Sequence, residues 1–351
     1  MKVFNALFLF SFSLTIASFA HANKLPSEFE VGVLYWSMDI PGQVAMRQGL
    51  EAEAARINKL SQENGLPTVK LVPHVAGNGS KGIENQIQQM NALIENNVDL
   101  IIAQPTDSVA LSQSLIAAND KNIPVVAYDQ YIAKGKLSAY LTSHNYQAGF
   151  YNGEFVASQF ADDQILRIIL VEYPHVSSTV ERVDGFLDAL GEHHQPFQLT
   201  KTYEAVEPTA GAIVAKKILN DFPEKGSFDV LFTVNDGGGL AVIEALQNNR
   251  RHEVVIASID GDPTSVKQIS QWPNPRIDSA QFCGPLGAES MKTAYKILLD
   301  KKVDEHILLP VFPITKKTLA KYPGWLGPIP KPFKKPWKSN QPQWQNTLTT
   351  Y

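Results

Sequence analysis

Polar side chains gather where short apolar runs end in this 351-residue chain. Ser37 and Asp39 follow the run 30–35, and Asp107 follows 100–103. Asp129 and Gln130 end 124–128, Asn235 and Asp236 end 230–234, and Asp260 and Asp262 end 253–259. Ionised carboxylates only accept hydrogen bonds, so an acidic, amide-rich set suits a ligand with hydroxyls or amines. Tyr35 and Trp36 close the first run and offer flat apolar faces. Arg182, in the helical stretch 179–187, adds a fork of donors for a ring oxygen, hydroxyl or carboxylate. Bland alternatives stand beside several of these. Asp107 before Ser108 serves equally as a helix cap, and Asp236-Gly-Gly-Gly as a cap with a loose turn. Trp36 suits a core or hinge position as well as stacking, and Glu181–Arg182 a solvated helix face. Asp129 and Asp260 are harder to dismiss. They end apolar strands, nothing cap-like follows Asp129, and both are assigned to the ligand.

The runs that would carry these residues alternate with amphipathic stretches. Strands are expected at 30–35, 69–72, 100–103 and 124–128, with helices at 43–60, 83–96 and 108–121 between them. The rhythm then restarts: strands at 166–171, 197–203, 230–234 and 253–259, helices at 179–190, 210–219 and 240–248. Asp99-Leu-Ile-Ile-Ala-Gln-Pro-Thr-Asp107 through Asp129 and Asp229-Val-Leu-Phe-Thr-Val-Asn-Asp236 through Asp260 form a weak internal repeat. Each copy is a strand–helix–strand unit bounded by aspartates, so two like-built halves follow. The fold class is α/β: two Rossmann-like lobes, each a parallel sheet with helices on both faces. Ligands of such sheets bind beyond the carboxyl ends of the strands, where the polar set lies. Less regular elements follow: a helix at 264–270, a strand at 276–282, a helix at 287–299 and an extended segment at 311–314. From Pro323 the Pro/Trp/Lys composition suits an extended tail, whose Trp325, Trp337 and Trp344 with Lys331, Lys334, Lys335 and Lys338 either dock a partner protein or form a strap along one lobe.

Composition narrows the function classes. A formal net charge of −4, from 31 basic and 35 acidic residues, favours neither nucleic acid nor an anionic membrane surface. Met1 and Lys2, an apolar run to Ala20, and the small-x-small site Ala20-His21-Ala22 read as an export signal over residues 1–22, cleaved after Ala22. Cys283 is the single cysteine, so no internal disulfide forms and two packed cores must supply stability. No Gly-x-Ser-x-Gly elbow, phosphate-cradling loop, dinucleotide fingerprint or metal-type His/Cys spacing is present. An enzyme is therefore not expected, nor any cofactor or metal.

The order of these segments resembles the periplasmic ribose/galactose-type binding proteins, which share their fold with the ligand domains of LacI-type repressors. The resemblance rests on Val31-Gly-Val-Leu-Tyr35, Asp99-Leu-Ile-Ile-Ala-Gln-Pro105, Ile123-Pro-Val-Val-Ala-Tyr-Asp129 and Ser143-His-Asn-Tyr-Gln-Ala-Gly149. Glu181-Arg182 with Gly185-Phe186, Phe232-Thr-Val-Asn-Asp236, Ile259-Asp-Gly261 and Ala280-Gln281 complete it. It implies ligand contacts at Asp129, Arg182, Asn235, Asp260 and Gln281, and three crossings between lobes near Asn145, Gln281 and Leu309. The lobes would then comprise residues 29–144 with 282–308, and 145–281 with 309–322, leaving 323–351 as the tail. Three departures argue against an ordinary pentose: Ile40-Pro-Gly-Gln43 where an aromatic pair is common, Gln130 in place of an Arg, and His144 in place of an Asp. The resemblance implies a periplasmic monomer that closes around a small polar ligand, a carbohydrate by family precedent, and passes it to a membrane permease of an ABC transporter. A sensor kinase is the alternative partner.

Overall fold

Runs such as Leu100–Ala103 and Val230–Thr233 carry no charged side chain, so they become strands buried on both faces, as parallel sheets require. The computed structural model describes residues 25–351; the export signal and its cleavage site lie outside them. The first half folds as β1 (Glu28–Tyr35), α1 (Pro41–Asn64), β2 (Thr68–Val75), α2 (Gly79–Glu95), β3 (Leu100–Ala103), α3 (Ser112–Asp120), β4 (Val125–Tyr128) and β5 (Ala139–Ser143). The second runs through α4 (Asn145–Ala157), β6 (Leu166–Glu172), α5 (Ser177–Glu192), β7 (Phe197–Glu204), α6 (Pro208–Asp221), β8 (Val230–Thr233), α7 (Asp236–Asn248), β9 (Val255–Asp260), α8 (Pro263–Ile269) and β10 (Arg276–Ala280). The chain returns through α9 (Cys283–Leu298) and β11 (His306–Leu309), then leaves again for β12 (Phe312–Ile314). It ends in three short strands, β13 (Phe333–Lys334), β14 (Gln343–Trp344) and β15 (Thr349–Thr350).

Two sheets result, ordered β15-β11-β5-β4-β3-β1-β2 and β12-β10-β9-β8-β6-β7. All pairings within them are parallel except β15 on β11 and β12 on β10. Each sheet has an apolar cluster on each face. The chain passes between sheets after β5, after β10 and between β11 and β12. Helices cross closely at glycines on both sides. A Cβ on Gly149 of α4 would collide with the Arg182 carbonyl of α5, and one on Gly287 of α9 with the Met46 carbonyl of α1. These crossings set the depth of the helices that carry Arg182 and Met46.

Several elements differ from expectation for identifiable reasons. The helix expected from Ser108 begins at Ser112, because the Asp107 carboxylate accepts from the Val109 and Ala110 N–H groups and makes a separate turn. The helix expected from Leu240 begins at Asp236: Gly237 and Gly238 pass so near the Ala205 and Val206 carbonyls that no side chain fits. Helix α4 had no apolar stripe to reveal it. It is buried nearly all round, with Asn152 and Glu154 inside.

The tail is neither a loose extension nor a strap confined to one lobe. Trp325 packs in the first lobe's core, Trp344 in the second's, and β15 then pairs with β11 back in the first sheet. Lys335 is fully enclosed. Its Nζ lies 2.7 Å from Glu154 Oε2 and 4.7 Å above the Tyr151 ring. Trp337 donates to the same carboxylate oxygen at 3.0 Å, and His193 Nε2 lies 3.8 Å from the other oxygen.

Candidate functional site

Between the carboxyl ends of the two sheets lies one buried cavity. Trp36, Gln43 and Met46 approach it from β1 and α1, and Asp129 and Gln130 from the end of β4. Ser178, Thr179 and Arg182 come from α5, Asn235 from the end of β8, Asp260 from the end of β9 and Gln281 from the end of β10. Strand ends deliver most of these, as expected of open parallel sheets.

Arg182 organises the centre. Its Nη1 donates to Asp260 Oδ1 and to the Val234 carbonyl at 3.0 and 2.8 Å, and its Nε donates to Asn145 Oδ1 at 3.0 Å. The side chain is 3% exposed, so the solvated-face reading of Glu181–Arg182 does not hold for it. Gln281 donates to the same Asp260 oxygen at 2.7 Å and accepts from Ser143 at 2.8 Å. Asn145 donates to Thr142, which donates to the Asp129 carbonyl. A continuous hydrogen-bonded chain therefore runs from Asp129 to Ser143 through both lobes. Gln104 steadies the Asp129 carboxylate at 3.0 Å.

Burial raises both carboxylates above their ordinary range. Asp129 is pushed up by loss of water, opposed by the Gln104 amide and the Arg182 guanidinium. Asp260 rises to about 6 from the same cause, again opposed by Arg182 and by the Gln281 amide. Both also adopt positive φ, 66° and 127°, where an L-residue rarely sits and where the surroundings must hold it.

Six of the nine expected positions meet at the cavity: Trp36, Asp129, Arg182, Asn235, Asp260 and Gln281. Three do not. Tyr35 points the other way along β1, into the first lobe's core, where its hydroxyl reaches Glu51 at 3.3 Å and Arg47 covers its ring. Period-two alternation puts its neighbour Trp36 in the cleft instead. Asp39 is exposed and accepts from Asn78. Asp107 is the cap described above. Asn235 lines the cavity with both polar ends in use: its oxygen caps α7 through the Gly238 N–H and its amide donates to the Val206 carbonyl.

Sequence reasoning placed Gln130 and Trp36 at strand ends but missed the partners through which they bring the lobes together. Gln130 donates to Ser178 Oγ at 2.7 Å and accepts from the Ser178 N–H at 3.3 Å. Ser108 accepts from the Ser177 N–H at 3.2 Å. Helix α5 has no N-cap side chain of its own, and the opposite lobe supplies one. Trp36 packs on Val176 and Val206 across the cleft, and its indole N–H is buried without a partner. The space at the centre is about 30 Å³, room for a water or two. The lobes thus touch across the cleft.

Among the described residues no group of three or more His, Cys, Asp and Glu side chains is placed to hold a metal ion. No helix among them is long and apolar enough to cross a membrane.

Comparisons with known proteins agree with this architecture. Residues 31–302 match the periplasmic binding protein domain. The ribose import binding protein of Bacillus subtilis is 26% identical over 291 residues, covering 83% of this chain and 88% of that protein. Its Escherichia coli counterpart is 24% identical over 310 residues, covering 88% and 96%. Among solved structures, the Caulobacter myo-inositol binding protein superposes with a TM-score of 0.72 at 22% identity, covering 84% of this chain and 96% of that one. An ABC transporter periplasmic solute binding protein from Actinobacillus succinogenes, with bound D-allose, gives 0.70 at 20% identity, covering 84% and 100%. With 272 consecutive residues inside the matched domain and the two-sheet clamshell around one polar cavity, the chain belongs to the periplasmic binding protein family.

Proposed function

We propose that the protein is a periplasmic solute-binding protein that closes around a small polyhydroxylated ligand, a sugar or polyol, and delivers it to an ABC-type importer. The observation that carries this is the buried sequence of acceptor, donor and acceptor formed by Asp129, Arg182 and Asp260, drawn from both lobes. Vicinal hydroxyls both donate and accept, so a polyol can satisfy carboxylates and guanidinium at once without bringing a net charge into the site. Relatives named for ribose import, and a structural neighbour holding D-allose, support the same ligand class.

The mechanism is hinge closure. A ligand touching both lobes binds the closed form better and shifts the balance toward it. Entry requires the Trp36 packing on Val176 and Val206 to part, since the drawn-together lobes leave too little room. The Trp36 indole N–H then finds its partner on a ligand oxygen, so Trp36 serves as donor and as stacking face.

Isothermal titration of purified protein with ribose, allose, myo-inositol and arabinose tests the reading, followed by mass spectrometry of the recovered ligand. Saturable one-to-one binding with the sugar returned unchanged is expected. A converted product, or binding confined to amino acids or inorganic anions, would overturn it.

A further inference from the structure

We propose that the C-terminal segment is a splint laid along the hinge, which restrains opening of the lobes, and that its Trp325 is a positioning residue for Asp260. The first part stands on the geometry of the hinge; the second rests on the ligand site proposed above.

Before the tail, three passages of chain join the lobes, and the tail lies against two of them. At the passage from β10 to α9, the Trp325 backbone carbonyl accepts from the Gly284 N–H at 3.0 Å, while its indole N–H donates to the carbonyl of Asp260, at the end of the neighbouring β9, at 2.6 Å. At the passage from β11 to β12, Trp344 donates to the Val311 carbonyl at 2.6 Å. Thr349 and Thr350 then pair with Leu308 and Ile307. Between these points the segment is held in the second lobe by Lys335 on Glu154 and by Phe333 and Trp344 in the core. It thus crosses from first lobe to second between Trp325 and Phe333, and back between Trp344 and Thr349. The return crossing spans five residue steps, at most about 17 Å when fully extended. Opening the lobes bends both passages, and each bend must now strain or break a contact on the splint.

The same segment reaches the ligand site from behind. Asp260 holds φ 127°, and its carbonyl is fixed by the Gln281 N–H at 3.1 Å and by the Trp325 indole. Both bonds end on the backbone oxygen and leave the carboxylate free of them. Both decide where the Asp260 carboxylate points.

The test uses the full-length chain with nitroxide labels on cysteines at the exposed positions Lys81 and Lys216, on opposite lobes; Cys283 is buried and escapes labelling. A ten-residue Gly-Ser insertion between Asn346 and Thr347 frees the return crossing while leaving its anchors in place. Trp325→Phe removes the indole donor and keeps an aromatic ring. Without added sugar, pulsed-EPR distances in the insertion variant should show the open-to-closed ratio raised about ten-fold, the factor expected when opening no longer has to break one or two neutral hydrogen bonds on the splint. Distances that superpose on those of the parent would overturn the splint, whether or not any sugar binds. For Trp325→Phe, sugar affinity should fall about three- to ten-fold, with the pH midpoint of binding displaced and the melting temperature nearly unchanged. A lower affinity with an unmoved midpoint would reduce Trp325 to a packing residue and overturn the positioning role. Widened distances in a protein that binds no sugar would leave the splint standing and refute only the ligand class.

Discussion

Replacing Lys335 with methionine isolates the contact that anchors the tail. Glu154 sits at 0% exposure in α4, and Lys335, from 181 residues further on, is the cation that faces it at 2.7 Å. Breaking a buried pair by removing one partner costs about 3–5 kcal/mol, because the remaining charge keeps its desolvation penalty. Trp337 still donates to Glu154 Oε2 in the variant, which places the loss near the lower end, about 3 kcal/mol. Methionine fills most of the lysine stem, so little of that loss is cavity. Thermal unfolding followed by circular dichroism should show a melting temperature lower by roughly 6–12 °C, at about 2–4 °C per kcal/mol for a domain of this size. Glu154→Gln combined with Lys335→Met replaces both charges by near-isosteres and should return to within about 1 kcal/mol of the parent, since paired removal is often neutral. A single variant that loses less than about 1 kcal/mol would mean the pair behaves as a surface contact. A double variant worse than the single would mean that the enclosed charges themselves stabilise the tail. Either result refutes the argument.

Sugar affinity should depend on pH through Asp260. Donors on a bound polyol favour its ionised form, so affinity falls as pH drops below about 6, by up to ten-fold per unit; calorimetric titrations between pH 7.5 and 5 would show it, and a flat profile would exclude Asp260 from the contact. The same raised value makes the native state hold a proton that the unfolded chain releases. Stability is therefore greatest below pH 4 for this group and declines as pH rises toward 6, by roughly 3 kcal/mol at about 1.4 kcal/mol per unit, readable in urea unfolding across that window. Gln130→Ala removes two direct lobe–lobe bonds; it should weaken sugar binding about ten-fold through a larger open population while leaving the melting temperature within about 2 °C, and an unchanged affinity would show that the latch contributes nothing. Gly149→Ala drives a methyl group into the Arg182 carbonyl, so α5 must move; a stability loss of about 1–3 kcal/mol and weaker binding are expected together, and loss of stability alone would mean that Arg182 keeps its place.

The parts of the molecule that could be read beforehand are those carried by repetition. Strand–helix alternation gave both lobes because each element repeats its apolar spacing over many residues, and Asp129 and Asp260 stood out because a charge ends an otherwise apolar run. Contacts between single residues far apart left no such trace. Glu154 looks like an ordinary helix charge until Lys335 is brought against it, and α4 looks irregular because burial on every side erases its periodicity. Trp36 finds Val176 and Val206 only once the lobes face each other. The tail is the extreme case. Its strands are two residues long, too short for any period, and isolated side chains hold it: the Trp325 and Trp344 indoles each aimed at one carbonyl, and one buried lysine. Fixation by a few strong anchors, with little repeated packing between them, suits a segment lying along the passages between the lobes. A long sheet or helix there would bind the lobes rigidly, whereas a few indole and ammonium anchors joined by short connections oppose opening only through the strain of single contacts.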